Sequence, residues 1–597
     1  MNLLNDIRNQ ITSLIAAELE KSGIYDEIFL TPPVNSDFGD LTLPCHRFSK
    51  VMRKPPQAIA SDLVSLVKTI EIVSDANAVS GYLNIGLNWE LLSKKVCSWV
   101  ATSGAAHGKS NMLENEKHII EFSSPNTNKP QHLGHCRNNV LGAALSSILK
   151  SAGANVVSTN LINDRGIHIC KSMIAWQRWG NGITPESSGK KGDHLVGEFY
   201  VRFNTELKAE YKSRYPSGGP GEEVFFNTES ELGCETRAML MAWEDGDKSV
   251  LDLWSMMNSW CKSGFNATYS RMGINFDAVE HESDTYTLGK DLVTMGLSQG
   301  IFHSTKDGAI AFDLTKASME GEKIVLRADG TSIYITQDIG TAITRNHSDN
   351  PDRMIYVVGN EQDHYFSVLF KILEAIQPKL KGKLFHRSYG MVELPDGKMK
   401  SREGTVVDAD NLMDDLHNAV YSANIDRWSH LSNEEQHRRS EAIALSGLRY
   451  FLLKASPNST ICFDKKTSIS IEGDTGPYCQ YAYARCIAII NKAGISFDNC
   501  KPDWSSLTDA NSRRLLMSLL SLPDYYSKAV TDLDPSFVAK GLYELAKSFS
   551  SFYASPEGRV IGTDVAVGAA RLSLVNATKM ALESSLKMLG ITPLDEM

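Results

Sequence analysis

The 597-residue chain lacks several features that would define its class at once. It has no apolar run of about eighteen residues, so we expect no membrane span. Its first residues, "MNLLNDIRNQ", lack the basic start and apolar core of a signal peptide, so we expect a cytoplasmic protein. Internal repeats and low-complexity tracts are also missing. These absences leave the class of ordinary globular proteins.

Paired cysteines and an excess of basic residues are missing too. The ten cysteines are scattered and no two form a C-x-x-C pair, so we expect no structural metal and buried, reduced thiols. The net charge is −10. This balance argues against a protein that coats nucleic acid nonspecifically, although a local basic face stays open.

The hydrophobic patterns change twice along the chain, which is too long for a single core. Residues 1–105 combine helical and strand-like patterns, which indicates a small α+β domain. Residues 111–434 alternate strands and helices, which indicates an α/β domain with a Rossmann-like parallel sheet and an insertion around 181–330. Residues 435–597 show only helical patterns, which indicates an all-α bundle.

The α/β region carries the clearest element patterns. The predicted strands are 118–122, 155–162, 353–359 and 384–392, and the predicted helices are 130–150 and 167–179. A polar excursion follows, at about 181–235. Upstream, "GAAHGKS" resembles a phosphate-binding P-loop, but its two glycines enclose three residues where that loop needs four, and no strand precedes it. We therefore reject a P-loop.

The stretch "SPNTNKPQHLGH" (124–135) directly follows the first predicted strand of this region. In parallel sheets, ligands bind at the carboxyl ends of strands, where helix N-termini present unpaired N–H groups. Lys129, His132 and His135 would surround such a helix start and suit a polyphosphate, while Gly134 would let a base or ribose approach the backbone. Taken alone, the stretch also fits an ordinary helix start with satisfied histidines.

A cationic loop, "LPDGKMKSREGTVV", lies at 394–407. It contains Lys398, Lys400 and Arg402 between two glycines that permit movement. Such a loop, placed opposite the histidines, would neutralise a departing pyrophosphate. The alternative is a solvated charge run in a turn.

Together the two stretches resemble the paired signatures of class I aminoacyl-tRNA synthetases, His-Ile-Gly-His and Lys-Met-Ser-Lys-Ser. Their contexts, "EFSSPNTNKPQHLGHCRNNVLG" and "GKMKSREGTVV", are similar to those of arginyl-tRNA synthetases, and matches such as "FGDLTLPCHRFSK", "VVGNEQDHYF" and "TGPYCQYAYAR" extend over nearly the whole chain. The resemblance implies that arginine is activated by ATP, typically only with tRNA present, and passed to the 2′-hydroxyl of the terminal adenosine of tRNA(Arg). It implies Mg²⁺ with the ATP but no dedicated metal site, and we expect a monomer.

The resemblance also assigns site residues. In the ATP site they are Lys129, His132, Gly134, His135, Lys398, Met399, Lys400 and Ser401. In the arginine site they are Glu121, Ser124, Asn126, Tyr334, Asp338 and Gln362. In the tRNA-binding regions they are Phe38, Tyr478, Tyr481, Arg485 and Met597. The charges of Lys129, His132, His135, Lys398 and Lys400 would act in catalysis.

Physical chemistry supports two of these assignments. Tyr334 and Asp338 lie four residues apart, on one face of a helix, and a carboxylate there suits a guanidinium. The alternative for Asp338 is an exposed helix acid. Tyr478, Tyr481 and Arg485 recur at spacings of three and four, and their flat faces suit stacking on anticodon bases, with core packing as the alternative for the tyrosines.

The second signature departs from the family pattern, because it reads Lys-Met-Lys-Ser-Arg and the usual second lysine is missing from its place. In the family that the chain resembles, a lysine at the position of Lys129 supplies this charge, and Lys400 is the alternative. Two other functions stay open. They are a synthetase for a different amino acid and a catalytically silent tRNA-binding relative.

Overall fold

The computed structural model describes residues 3–31, 33, 35–104, 107–395, 407–494 and 500–597. The chain forms two compact units. The first contains Met1–Ser110, Ser470–Asp532 and Phe537–Met597, and the second contains Asn111–Ile469 and Leu533–Ser536. None of the helices in the described part of the chain is both long and apolar enough to cross a bilayer.

The amino-terminal part of the first unit is a three-stranded antiparallel sheet with flanking helices, in the order β1-β3-β2. Its elements are α1 (Leu3–Glu20), β1 (Leu41–Pro44), α2 (Ser49–Met52), α3 (Pro56–Val67), β2 (Val73–Val79), β3 (Tyr82–Leu87) and α4 (Trp89–Ser103). Helix α1 buries Leu4, Ile7, Ile11 and Ile15 at spacings of three and four, as its pattern predicts. Because α4 precedes "GAAHGKS", no strand leads into that segment, as expected when we rejected a P-loop.

The remaining helices of the first unit come from the carboxyl-terminal part of the chain. They are α19 (Gly476–Ala493), α20 (Ala510–Thr531), α21 (Ser536–Ala554) and α22 (Val565–Met588). Helix α4 packs against α20 and α22, and the Ser584 hydroxyl donates to the His107 carbonyl at 2.7 Å. The predicted helical bundle is therefore present, and it packs with the amino-terminal residues in one unit.

The strands of the second unit are β4 (Lys117–Glu121), β5 (Asn155–Ile162), β6 (Ala278–His281), β7 (Phe302–Ser304), β8 (Ile310–Asp313), β9 (Glu322–Leu326), β10 (Arg353–Gly359), β11 (Leu384–Tyr389), β12 (Val392–Glu393) and β13 (Ile461–Cys462). Five of them form a parallel sheet in the order β11-β10-β4-β5-β6, which confirms the predicted α/β fold. Apolar side chains of β4 and β10, such as Ile119 and Met354, are buried in its core.

The helices of the second unit are α5 (Leu133–Ser151), α6 (Ile167–Trp179), α7 (Pro185–Ser188), α8 (Gly192–Arg214), α9 (Glu222–Thr228), α10 (Glu231–Glu244), α11 (Lys248–Met272), α12 (Glu282–Thr285), α13 (Leu288–Ser298), α14 (Tyr334–Asp349), α15 (Asp363–Ile376), α16 (Ala409–Asn424), α17 (Asn433–Leu453) and α18 (Lys465–Ser468). Helix α17 packs on α5 and α16. The position 435, where we expected the helical bundle to begin, therefore lies in a helix of the second unit.

The predicted insertion range, 181–330, contains three kinds of structure. Helices α7 to α11 form its first part. This part contains the polar excursion near 181–235 and extends beyond it. Strand β6 then returns to the main sheet beside β5. The rest contains a small antiparallel sheet, in the order β7-β8-β9.

Candidate active site

The loop that follows β4 holds a strained backbone at the carboxyl end of the parallel sheet. Ser123 and Ser124 have positive φ values of 76° and 45°. The Ser123 amide donates to Asn138 Oδ1 at 2.5 Å, and the Ser124 amide donates to Asn160 Oδ1 at 3.0 Å. Strained residues persist only where their surroundings hold them, and they cluster at functional sites. Buried amide side chains therefore fix Ser124, and exposed Asn126 follows it.

The predicted helix from 130 begins instead at Leu133. The Leu133 amide donates to the Val407 carbonyl at 3.1 Å, and the Ala409 amide donates to the Gln131 carbonyl at 3.0 Å. This pairing keeps the backbone around His132 extended, with φ −131° and ψ 174°. It also places Val407, the first described residue after 396–406, directly beside the first signature.

The two signature histidines cap this helix through their ring nitrogens. His132 Nδ1 accepts from the Gly134 amide at 3.1 Å, and His135 Nδ1 accepts from the His132 amide at 3.2 Å. Their ring centroids lie 3.9 Å apart. A Cβ atom on Gly134 would lie 3.0 Å from His132 Cε1, so this glycine makes room for the histidine ring.

The histidines are neutral in this environment. Burial, with the charge of Lys129 adding to it, lowers the pKa of His132 to about 4. Burial, with His132 and Lys129 adding, lowers the pKa of His135 well below its usual value. Because both Nδ1 atoms accept hydrogen bonds, each neutral ring carries its proton on Nε2. The cluster that we expected to be basic therefore consists of one lysine and two neutral N–H donors.

The second signature is not part of the described chain, so Lys398, Met399, Lys400 and Ser401 lie outside the described residues. Its two flanks, however, are both bound to α5. Beyond the Val407 pairing, the buried Arg137 guanidinium donates to the carbonyls of Gly390 at 2.6 Å and Ser459 at 2.8 Å. It also donates to those of Met391 at 3.1 Å and Pro457 at 3.0 Å. Helix α5 thus fixes where the chain leaves for 396–406 and where it returns.

A cavity of about 390 Å³ opens beside the first signature. Its lining includes Lys129, His132, His194, Tyr200, Asp408 and Asn411. This volume lies within the usual range for small-molecule sites. Helix α8 of the excursion therefore forms one wall of a cavity that Lys129 and His132 also line.

Asp338 lies one turn into α14 and is partly buried. Its carboxylate accepts a hydrogen bond from the Tyr365 hydroxyl. Burial, with the charge of Glu121 adding to it, raises the pKa of Asp338 to about 7. Tyr334, at the start of α14, is 70% exposed. Gln362 is exposed and directly precedes α15, which carries Tyr365.

Two buried groups beside this carboxylate were missed by the sequence reasoning. Arg345 Nη1 donates to Glu121 Oε2 at 2.5 Å, and its Nε donates to Glu280 at 3.1 Å. The carboxyl of Glu282 is also buried, and burial raises its pKa to about 7, with the charge of Asp338 adding to the shift. Glu282 lies among ordinary acids in "EHESD", and no sequence signal separates it from them.

One group of side chains has the spacing of metal ligands within the described ranges. It consists of Asp193, His194 and Asp410. The Lys191 ammonium donates to both carboxylates, at 3.2 Å and 2.6 Å, so a cation already lies between them. We therefore assign no metal to this group.

The residues predicted to bind tRNA lie in the first unit. Phe38 is 43% exposed, in a short turn. Tyr478, Tyr481 and Arg485 are partly buried on α19, and Met597 is partly exposed at the end of the chain. The Arg485 guanidinium lies 4.5 Å from the ring centre of Tyr481 and 4.8 Å from that of Tyr553, a residue that the sequence reasoning missed.

Comparisons with known proteins cover the whole chain. Family models match at residues 7–87 (arginyl tRNA synthetase N terminal domain), 100–464 (tRNA synthetases class I (R), catalytic domain) and 479–597 (DALR anticodon binding domain). The arginine–tRNA ligase of Porphyromonas gingivalis W83 is 40% identical over 597 residues, covering 99% of each chain. That of Parabacteroides distasonis is 42% identical over 567 residues, covering 92% of each. The structure of Thermus thermophilus arginyl-tRNA synthetase matches with a TM-score of 0.78 at 25% identity, covering 99% of this chain and 100% of that one.

Proposed function

The chain belongs to the arginyl-tRNA synthetase family, and from this premise we propose how its residues carry out the reaction. The enzyme is an arginine–tRNA ligase of class I. Arginine and ATP form arginyl-adenylate and pyrophosphate, and the arginyl group then passes to the terminal adenosine of tRNA(Arg). The observation that carries our choice of arginine is the pair of carboxyls at the partly buried Asp338 and the buried Glu282, because carboxylates are the natural partners of a guanidinium.

In the activation step, the arginine carboxylate attacks the α-phosphorus and the bond to the departing pyrophosphate breaks. We assign the Nε2–H groups of His132 and His135 to the phosphate oxygens. Lys129 supplies positive charge there, shared with Lys398 and Lys400. No protein nucleophile takes part, so the residues act by positioning and by stabilising charge.

The neighbouring residues complete this ATP site in our proposal. Gly134, Met399 and Ser401 contact the nucleotide. Mg²⁺ accompanies ATP as part of the substrate. Because Lys191 already lies between the carboxylates of Asp193 and Asp410, we assign no protein ligands to that ion.

We assign the arginine substrate to the groups around Asp338. Its carboxylate pairs with the guanidinium, Tyr334 covers that group, and Gln362 lines the same side. Ser124, Asn126 and Glu121 hold the ammonium and carboxylate groups, with Glu121 kept in place by Arg345. Glu282 adds a second carboxylate near the guanidinium.

We assign tRNA binding to residues of the first unit. The ring of Tyr481, with Arg485 stacked on it, suits an unstacked anticodon base, and Tyr478 and Met597 contribute to the same surface. Phe38 contacts the tRNA from the amino-terminal sheet. We keep 1–105, 111–434 and 435–597 as the functional domains, and we propose that the enzyme is monomeric and cytoplasmic.

The test of this function is arginine-dependent exchange of pyrophosphate into ATP, measured with and without tRNA(Arg). We expect exchange with arginine and no other amino acid of a standard panel. A folded protein that shows no exchange in either condition would overturn the proposal. Exchange with another amino acid would identify a different specificity.

Asp338→Ala tests the arginine site. Leaving a buried guanidinium unpaired should weaken arginine binding by more than about 2 kcal/mol, which is a rise in the KM for arginine of about thirtyfold. The KM for ATP should stay within about twofold. Asp349→Ala is the matched control, because Asp349 ends the same helix and pairs with Lys117 at 2.6 Å. An unchanged KM for arginine in Asp338→Ala would sink the assignment.

A further inference from the structure

Helix α8 of the excursion packs closely on the residues that lead into the first signature. A Cβ atom on Gly197 would lie 2.6 Å from Pro130 Cδ and 3.4 Å from Lys129 Cα. Only a glycine permits this approach without movement of one backbone. The excursion is thus part of the support of Lys129 and not a separate appendage.

At its start, α8 carries two cationic groups that bind α16. Lys191 Nζ donates to Asp410 Oδ2 at 2.6 Å and to Thr268 Oγ1 at 2.5 Å. His194 Nε2 donates to Asp410 Oδ2 at 3.1 Å and lies 3.4 Å from Asp408 Oδ2. These contacts join the excursion to the first residues of α16.

In the chain, these first residues of α16 follow the segment 396–406, which contains the second signature. Asp408 caps the helix, because its Oδ1 accepts from the Asn411 amide at 3.0 Å. Its backbone forms a bridge with His132. Its other oxygen, Oδ2, is buried and makes no hydrogen bond with any residue that the structure describes. His194 Nε2, at 3.4 Å, therefore faces this Oδ2 atom of Asp408.

We propose that His194 is a positioning residue for adenylate formation, which holds Asp408 and Asp410 so that the chain returning from 396–406 stays against His132. The proposal rests on the function proposed above for the two signatures. In this proposal, His194 contacts none of the reacting groups. It acts through Asp408, whose backbone is paired with a residue of the ATP site.

The protonation of His194 gives this contact a dependence on pH. Among the described residues, Asp193, Asp408 and Asp410 act directly on His194. Lys191 binds the same carboxylates, and Lys129, His132, Glu198 and Tyr200 line the same cavity. The hydrogen bond to Asp410, with the charges of Asp408 and Asp193 adding to it, raises the pKa of His194. A histidine with a raised pKa keeps its charge to a higher pH than an ordinary histidine and loses it as pH rises through that raised value. The contact should therefore weaken on the alkaline side.

Steady-state exchange of pyrophosphate at saturating tRNA, with ATP varied at saturating arginine and arginine varied at saturating ATP, tests the proposal. His194→Ala should raise the KM for ATP about tenfold, the usual loss for a charge-assisted hydrogen bond, and leave the KM for arginine within about twofold. His194→Gln keeps a neutral donor and should recover part of the loss. In the Gln variant, the alkaline fall of kcat/KM for ATP that we expect in the native enzyme should disappear.

The matched control is His303→Gln, which removes a histidine from a comparable pair with Glu322 at 3.0 Å in the small antiparallel sheet. It should behave as the native enzyme in both KM values and in the pH profile. If His194→Ala and His194→Gln also match the native enzyme, the proposal is wrong. If His194→Ala does not fold, as judged by its melting transition, the pH profile of His194→Gln decides. A native enzyme without exchange would instead overturn the proposed function.

Discussion

At the scale of single residues, we propose that Asp338 and Glu282 link arginine binding to protonation. Both carboxyls have pKa values raised to about 7, with burial as the main cause. A carboxyl whose pKa is raised on folding favours the folded state below its unfolded pKa, and this contribution is lost as pH rises through about 7. A bound guanidinium supplies the missing counter-charge and favours the ionised forms. Arginine should therefore bind more tightly at higher pH.

We expect the affinity for arginine to fall about tenfold for each of these carboxyls between about pH 8 and about pH 6. Binding near pH 7 should release protons. Titration calorimetry in two buffers of different ionisation enthalpy measures both quantities. Asp338→Asn should release fewer protons than the native enzyme. A constant affinity with no proton release would contradict the shifted carboxyls.

The signature histidines show what residue types alone leave open. Their sequence predicts a phosphate site at a helix start, and the structure has a helix start there. Their charge depends on burial and on Lys129, which no spacing reveals. The same limit applies to Glu282 and Arg345. Each lies in the proposed arginine site only because of contacts with residues that are distant in the chain.

At the scale of elements, α5 contacts both described segments that border 396–406. Its first turn carries His135, and its buried Arg137 binds five carbonyls on the segments at 390–391 and 456–459. Among the described residues no carboxylate forms an ion pair with this guanidinium, and burial lowers its pKa to about 10. Backbone carbonyls accept its hydrogen bonds, and its Cζ lies 5.9 Å from the ring centre of Tyr389.

Arg137→Met should destabilise the fold by about 3 kcal/mol, since the variant leaves the buried carbonyls of Gly390 and Pro457 without this donor. It should also lower the rate of exchange, because Gly390 and Met391 lie just before 396–406 in the chain. Urea denaturation measures the first effect. Arg353→Met is the control, because Arg353 makes a longer contact of 3.6 Å with Glu116, and its loss should cost less than about 1 kcal/mol. Equal losses in the two variants would argue against a special role of Arg137.

The elements themselves were largely predictable. Strands 155–162 and 353–359 and helix 167–179 occur with the predicted bounds, because continuous apolar runs and strong periodicity determine them. The start of α5 was wrong by three residues, because backbone pairing with 407–409 overrides its helical pattern. The two-residue strand β13 was missed after residue 435, because its pairing with β12 leaves no periodic signal.

At the scale of the whole molecule, the candidate residues for the two small substrates, arginine and ATP, lie in a different unit from those for tRNA. Lys129, with the arginine and ATP residues, belongs to the second unit, and Arg485 belongs to the first. Substitutions in the two units should therefore affect different steps.

Lys129→Ala should reduce arginyl-adenylate formation at least about a hundredfold, the usual effect of losing one group that stabilises transition-state charge, with tRNA affinity within about twofold. Arg485→Ala should weaken tRNA binding about tenfold, as expected for a lost stacking contact, and leave exchange at saturating tRNA near the native rate. Rapid-quench assays of adenylate and filter binding of tRNA(Arg) measure the two effects. The control for Lys129→Ala is Lys150→Ala, because Lys150 lies at the far end of α5, with its Nζ 3.5 Å from Asp277 Oδ2. If Lys129→Ala formed adenylate at the native rate, the second signature would have to supply the charge through Lys400.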